Sequence, residues 1–280
     1  MTQLTRDVVR QRLSNTILLG LIVLFVGLAV LTLLPFTAPR ANDLGYISMC
    51  PFAPWSTLSL LLVAGVIWPR LDIIVSGWFY DAGRGFFLAD QPTFLFLHWL
   101  AVKGAWALGV LLGLLTLTAA IKREAVLGFD FKSWLFLFLT LLIGPVLIAN
   151  VGLKDHWGRA RPREITEFGG SAAFSPALIP QRTDHTNGSF ISGDASFGFF
   201  LPSLAYVVPR NRTRRVFWIG MAAGLFFGIA RIAMGGHFLS DTAFACALML
   251  AVSAGLHAAM YGIRQTVSYW REWFYGENYG

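Results

Sequence analysis

Several ionisable side chains in this chain stand at the ends of long apolar runs, where charge is costly and marks a functional site by default. They fall into three groups. The first is Lys154-Asp155-His156-Trp157-Gly158-Arg159-Ala160-Arg161-Pro162, at the exit of the fourth run. The second is Ser192-Gly193-Asp194-Ala195-Ser196, at the entrance of the fifth, and the third runs from Arg231 through His237 to Asp241, between the sixth and seventh. Lys154, Arg161 and Arg231 would gather three cations in one pocket, an arrangement that needs an anion to offset its cost. Arginine matches phosphate oxygens with a planar fork, whereas lysine acts as a movable point charge. Ser192 and Gly193 open an apolar helix, and helix N-termini bind phosphate through their free N–H groups. Together these residues make a clamp for the equatorial oxygens of a phosphoryl group in transfer, chemistry in which electrostatic positioning provides most of the catalysis.

A nucleophile is still required. His237 and Asp241 are four positions apart, so at a helix start they share a face. A carboxylate bonded to one ring nitrogen fixes the tautomer and leaves the other nitrogen free to attack phosphorus. A serine triad fits less well, because no G-x-S-x-G elbow accompanies the histidine. A metal site fits worse still, since one His and one Asp among three cations would not hold a divalent ion. Neither metal nor cofactor is expected. The two cysteines, Cys50 and Cys246, imply no disulfide framework.

The elements that must position these groups follow from composition. The 280 residues are 56% hydrophobic and 13% charged, against roughly 25% charged for a soluble domain. Candidate spans lie at 16–36, 56–76, 94–121, 133–153, 190–208, 216–235 and 240–262. In lipid, backbone groups must pair within their own segment, so runs of this length are helices. The expected class is an all-α, polytopic integral membrane helical bundle of six or seven transmembrane helices. Disordered, collagen-like, coiled-coil and nucleic-acid-reading classes are poorly supported. The run 56–76 is the weakest, interrupted by Pro69, Arg70 and Asp72; the aromatic, glycine-rich stretch 77–91 suits the membrane surface. Arg6, Arg10 and Arg12 precede the first run as in an uncleaved signal anchor. The organisation expected is an N-terminal anchor region over 1–76, a membrane-embedded catalytic core over 77–263 and a cytoplasmic tail over 264–280.

Charge sets the orientation. Lys122, Arg123 and Lys132, the short loop with Arg210, Arg212, Arg214 and Arg215, and Arg264 with Arg271 belong on the cytoplasmic side. The formal net charge of +7 is therefore partly topological. All three polar groups then face the exterior or periplasm. Seven full spans with a cytoplasmic C-terminus would put the basic N-terminus outside; six spans remove that conflict.

The spacing K-x6-R-P (Lys154 to Pro162), S-G-x (Ser192 to Asp194) and R-x5-H-x3-D (Arg231 to Asp241) resembles the type 2 phosphatidic acid phosphatase superfamily, over roughly residues 77–262. The resemblance implies a helical membrane phosphatase acting on a lipid phosphate without metal or cofactor. His237 would form a phosphohistidine, Asp241 would orient it, and Lys154, Arg161, Ser192, Gly193 and Arg231 would hold the phosphate. Implied substrates are lipid A, phosphatidate, phosphatidylglycerol phosphate or a polyprenyl diphosphate, at the outer face of a bacterial inner membrane. A lipid-to-lipid phosphotransferase and a non-catalytic phosphate binder or transporter stay open as alternatives; no nucleic-acid partner is expected.

One position departs from the pattern. The family's second block usually reads P-S-G-H, with that His protonating the leaving group, whereas this chain has Ile191-Ser192-Gly193-Asp194. Asp194 can act as the acid only if it is protonated when the bond breaks. A helix N-terminus favours its ionised form and a bound phosphate dianion favours its protonated form. His185 or His156 could instead supply the proton. A diphosphate needs little acid assistance and a sugar or glycerol monoester needs much, yet the SGDAS form, with RARP and TEFGG upstream, resembles bacterial lipid A phosphatases. Arg159 and Arg163 read as a basic helix flank. Lys103, His98 and His257 read as structural or interfacial, and Trp55, Trp68, Trp78 and Trp99 as interface markers. The loop 163–189, with Glu164, Glu167 and Arg182, reads as a lid or as a solvated external loop.

Overall fold

The computed structural model describes residues 68–181 and 188–275. The first expected run, most of the second, Arg6, Arg10, Arg12, Cys50, Trp55, Arg182 and His185 lie outside the described residues. Pro69 precedes helix α1 (Arg70–Gly77), its φ of −58° already helical. A two-stranded hairpin follows, β1 (Tyr80–Asp81) against β2 (Gly85–Phe86), with Tyr80 opposite Phe86. Tyr80, Phe86 and Phe168 pack ring to ring at 5.0–5.4 Å, so two aromatics of the stretch 77–91 fold onto the segment that follows Arg163.

Helix α2 (Pro92–Lys122) starts with proline at its first turn, where no intrahelical N–H bond is lost. Helix α3 (Phe131–Leu141) is capped by Asp130, whose carboxylate accepts the Ser133 N–H at 2.9 Å. It runs on as a π-helical stretch, Leu142–Lys154, containing Pro145, and ends in the turn Asp155–Trp157. The Asn150 side chain donates to the Pro145 carbonyl at 2.7 Å. Helix α4 (Gly193–Phe200) continues as a 3-10 turn, Leu201–Tyr206, that contains Pro202. The run expected over 190–208 is thus two short pieces rather than one continuous α-helix. Helices α5 (Arg210–Ala233), α6 (Leu239–Tyr261) and α7 (Ile263–Tyr275) complete the chain.

Among the described residues, four helical stretches are long and apolar enough to cross a membrane: Pro92–Lys122, Phe131–Glu164, Arg210–Ala233 and Leu239–Tyr261. The protein is a polytopic helical membrane protein. Its layers are unequal. Of the most apolar part of α6, 67% is buried, against 17% for α2, so α6 is the central helix and α2 a lipid-facing one. Small residues let the inner helices approach. A Cβ on Gly198 of α4 would lie 2.6 Å from the Gly224 Cα of α5, and Gly228 backs onto the Thr242 side chain of α6.

The two ends of the bundle differ. At one end Lys132 sits over the Tyr261 ring, Arg210 over Tyr269, and Trp270 donates to the Tyr206 hydroxyl at 2.9 Å, which ties α7 back to the bundle. At the other end the three polar groups converge. The domain boundary expected after residue 76 falls inside α1, whose Asp72 is bound into that same end.

Candidate functional site

Backbone bonds assemble the site. After the turn at Trp157 the chain leaves and returns, and the return segment is pinned along the departing one. Gly188 N–H donates to the Lys154 carbonyl at 2.9 Å, Ser189 N–H to Arg159 at 2.8 Å, and the Ser189 hydroxyl to Ala160 at 3.0 Å. This brings the second group against the first. The third is joined by Arg163 N–H to the Gly235 carbonyl (3.2 Å) and by Ser192 N–H to the Asp241 carbonyl (3.4 Å). Residues almost ninety positions apart are therefore joined at one end of the bundle.

His237 lies between α5 and α6 and is 1% exposed. Its Nδ1 is 2.6 Å from the Ser189 carbonyl oxygen and 3.8 Å from Asp241 Oδ2. The carbonyl can only accept, so Nδ1 carries the proton and Nε2 is left with its lone pair. The carboxylate expected to hold the ring is thus at ion-pair distance, and a backbone carbonyl makes the hydrogen bond. Asp241 is engaged elsewhere: Oδ2 accepts the Phe238 N–H at 2.8 Å and Oδ1 accepts Arg159 Nη1 at 2.5 Å. Burial first, then the positive charges of Arg231, Lys154 and Arg161, hold the His237 pKa well below the ordinary 6.5.

Those three cations are the ones the spacing singled out, and each interacts electrostatically with His237. Ser192 caps α4, its hydroxyl accepting the Ala195 N–H at 3.3 Å. Gly193 lies against Lys154: a Cβ there would be 3.0 Å from the ammonium and 2.8 Å from Asn150 Oδ1. Gly236 stands in the same relation to Arg231, where a Cβ would be 2.6 Å from Nη2. The Arg161 N–H donates to Glu164 Oε2 at 2.9 Å, so Glu164 turns back onto its own loop. Lys154, Arg161, Ser192, Gly193, Asp194, Arg231, His237 and Asp241 all gather at this end.

Sequence reasoning missed the network behind them. Arg159, read as a basic flank, is fully buried and bonds Asp72 (2.8 Å), Asp241 (2.5 Å), Ser240 (2.9 Å) and the Ser175 carbonyl (3.0 Å), beneath the Phe238 ring. Asp72, read as an interruption of the second run, also accepts the Ser240 N–H at 2.8 Å. His98, read as structural or interfacial, has Nδ1 2.6 Å from Asp194 Oδ2. The signal for all three was available: a charged or titratable residue inside or beside an apolar run. His156, by contrast, turns its Nδ1 back to the Gly152 carbonyl at 3.0 Å. Among the described residues, no three His, Cys, Asp or Glu side chains are grouped to hold a metal ion.

The PAP2 superfamily profile matches residues 133–265. A lipid A 4'-phosphatase from Francisella tularensis subsp. novicida (strain U112) is 33% identical over 199 residues, covering 70% of this chain and 89% of that protein. A lipid A 4'-phosphatase from Rhizobium leguminosarum is 39% identical over 119 residues, 42% of this chain and 51% of the relative. One from Rhizobium etli is 37% identical over 118 residues, 42% and 46% respectively. No solved structure matches.

Proposed function

The chain belongs to the PAP2 superfamily and is a membrane lipid phosphatase, and on that premise we propose that it removes a phosphate monoester from lipid A through a phosphohistidine on His237. The observation that carries the mechanism is a buried imidazole with one nitrogen tied to a carbonyl and three cations around it. The substrate assignment is supported by the names of the relatives.

Nε2 of His237 attacks phosphorus in line. Negative charge on the equatorial oxygens is met by Lys154, Arg161, Arg231 and the N–H groups at the start of α4, a fixed set that requires no reorganisation as the bond breaks. Asp241 acts at one remove, through the Phe238 N–H and Arg159, by fixing the start of α6. Water then hydrolyses the phosphohistidine. The cations do the work of charge stabilisation, so no metal is required. The core over 77–263 would lie in a bacterial inner membrane with the site at the periplasmic leaflet, and the region over 1–76 would serve as its anchor.

The test is phosphate release by purified protein in detergent from lipid A, phosphatidate, phosphatidylglycerol phosphate and a polyprenyl diphosphate. Lipid A is expected to lead, His237→Ala to release nothing, and a chelator to leave the rate unchanged. Phosphate recovered in an acceptor lipid would instead indicate a transferase. Labelling of a cysteine placed at Ser171 from outside intact cells checks the sidedness.

A further inference from the structure

Resting on the phosphatase mechanism above, we infer that His98 of α2, oriented by Asp194, is the group that protonates the leaving oxygen. Asp194 stands where the related pattern carries a histidine, so the acid must be found elsewhere or supplied by Asp194 itself. The Asp194 carboxylate is only 5% exposed, and its Oδ2 lies 2.6 Å from His98 Nδ1 and 3.4 Å from Arg231 Nε. A carboxylate between two such donors serves as an acceptor and has no proton to give. It does fix the imidazole beside it: Nδ1–H points to Asp194, and Nε2 becomes the free corner of the ring.

The placement of that ring fits the role. In-line displacement puts nucleophile and leaving group on opposite sides of phosphorus. His237 is on the buried side, 1% exposed. His98 is on the open side, its side chain 40% exposed, on a helix that turns Leu95, Phe96 and Trp99 outward. A lipid whose phosphate is seated among Lys154, Arg161 and Arg231 has its remaining bulk toward that open side, and its bridging oxygen with it.

The proton balance closes with no further reactant. His98 begins as the imidazolium, with Nδ1–H on Asp194. As His237 Nε2 bonds to phosphorus, the electron pair of the breaking P–O bond goes to the leaving oxygen, which takes the Nε2 proton of His98. Neutral His98 then accepts a proton from the attacking water while its oxygen bonds to phosphorus and the P–N bond to His237 breaks. Inorganic phosphate leaves, and both histidines return to their starting states.

The experiment compares full-length wild type, His98→Ala, His98→Gln and His237→Ala on two monoesters in detergent micelles. One is phosphatidate, a poor leaving group, and the other an alkyl-chain nitrophenyl phosphate, a good one. General acid catalysis contributes about 10²–10⁴-fold, so both His98 variants should lose on that order with phosphatidate and less than about tenfold with the aryl ester. Glutamine can keep the hydrogen bond to Asp194 but cannot relay a proton, so restoration of phosphatidate turnover by His98→Gln would show a structural role and overturn the inference. Equal losses on both esters, or no loss on either, would overturn it too. Failure of the underlying mechanism looks different: His237→Ala would then keep turning over the aryl ester.

Discussion

His237 Nδ1 lies 2.6 Å from the carbonyl oxygen of Ser189, a residue that reaches it by returning along the first polar segment. That bond sets the tautomer without a carboxylate. Where a carboxylate alone holds the tautomer, its conversion to an amide costs about 10⁴-fold in turnover. Here Asp241→Asn should lower kcat per folded molecule far less, by about 10²-fold at most. It should instead lower the melting temperature in detergent, because one amide N–H₂ must face either the Phe238 N–H or Arg159. A collapse of kcat at unchanged stability would contradict this division of roles.

Because burial and neighbouring cations hold the His237 pKa well below 6.5, its Nε2 stays unprotonated as pH falls through 6.5. The acid limb that His237 imposes on kcat/KM is therefore expected below pH 6.5. Lys154→Met removes one of the charges that lowers this pKa, so the limb should move up toward 6.5 while the rate itself drops. A limb that stays in place or moves down would separate Lys154 from His237. The same shift has a stability counterpart. The unfolded chain binds a proton at His237 below pH 6.5 and the folded chain does not, so the contribution present above 6.5 is lost as pH falls.

Arg159 joins two buried carboxylates, Asp72 and Asp241, with no exposure of its own. Removing one partner of such a network strands the others, at about 3–5 kcal/mol. Arg159→Met should show that loss in detergent unfolding. Arg159→Lys should recover only part of it, because one ammonium cannot fork to both carboxylates. Full recovery by lysine would mean that charge alone matters.

Two glycines test the cation clamp without touching a charge. Gly236→Ala would place its methyl 2.6 Å from Arg231 Nη2, and Gly193→Ala would place its methyl 3.0 Å from Lys154 Nζ. Displacing one preorganised donor is expected to cost about 10²–10³ in kcat, with the protein still folded by thermal unfolding. Wild-type rates in both variants would move the phosphate away from these two side chains.

The sequence by itself determined the membrane class, the three polar groups and the residue types within them. Each is a local property: apolar runs long enough to demand helices, and costly charges at fixed offsets beside them. It also pointed to the anomaly at Asp194. Only the tertiary structure decided who partners whom. Asp72, Arg159 and His98 carry no spacing that links them to Asp241 or Asp194; they meet because α1, α2 and the segment leaving Trp157 pack against α6 and α4 at one end of the bundle. The imidazole's partner was illegible for the same reason. Any residue has a carbonyl, so nothing in the letter Ser189 announces that its backbone oxygen, brought back along Arg159 and Ala160, would hold the His237 ring.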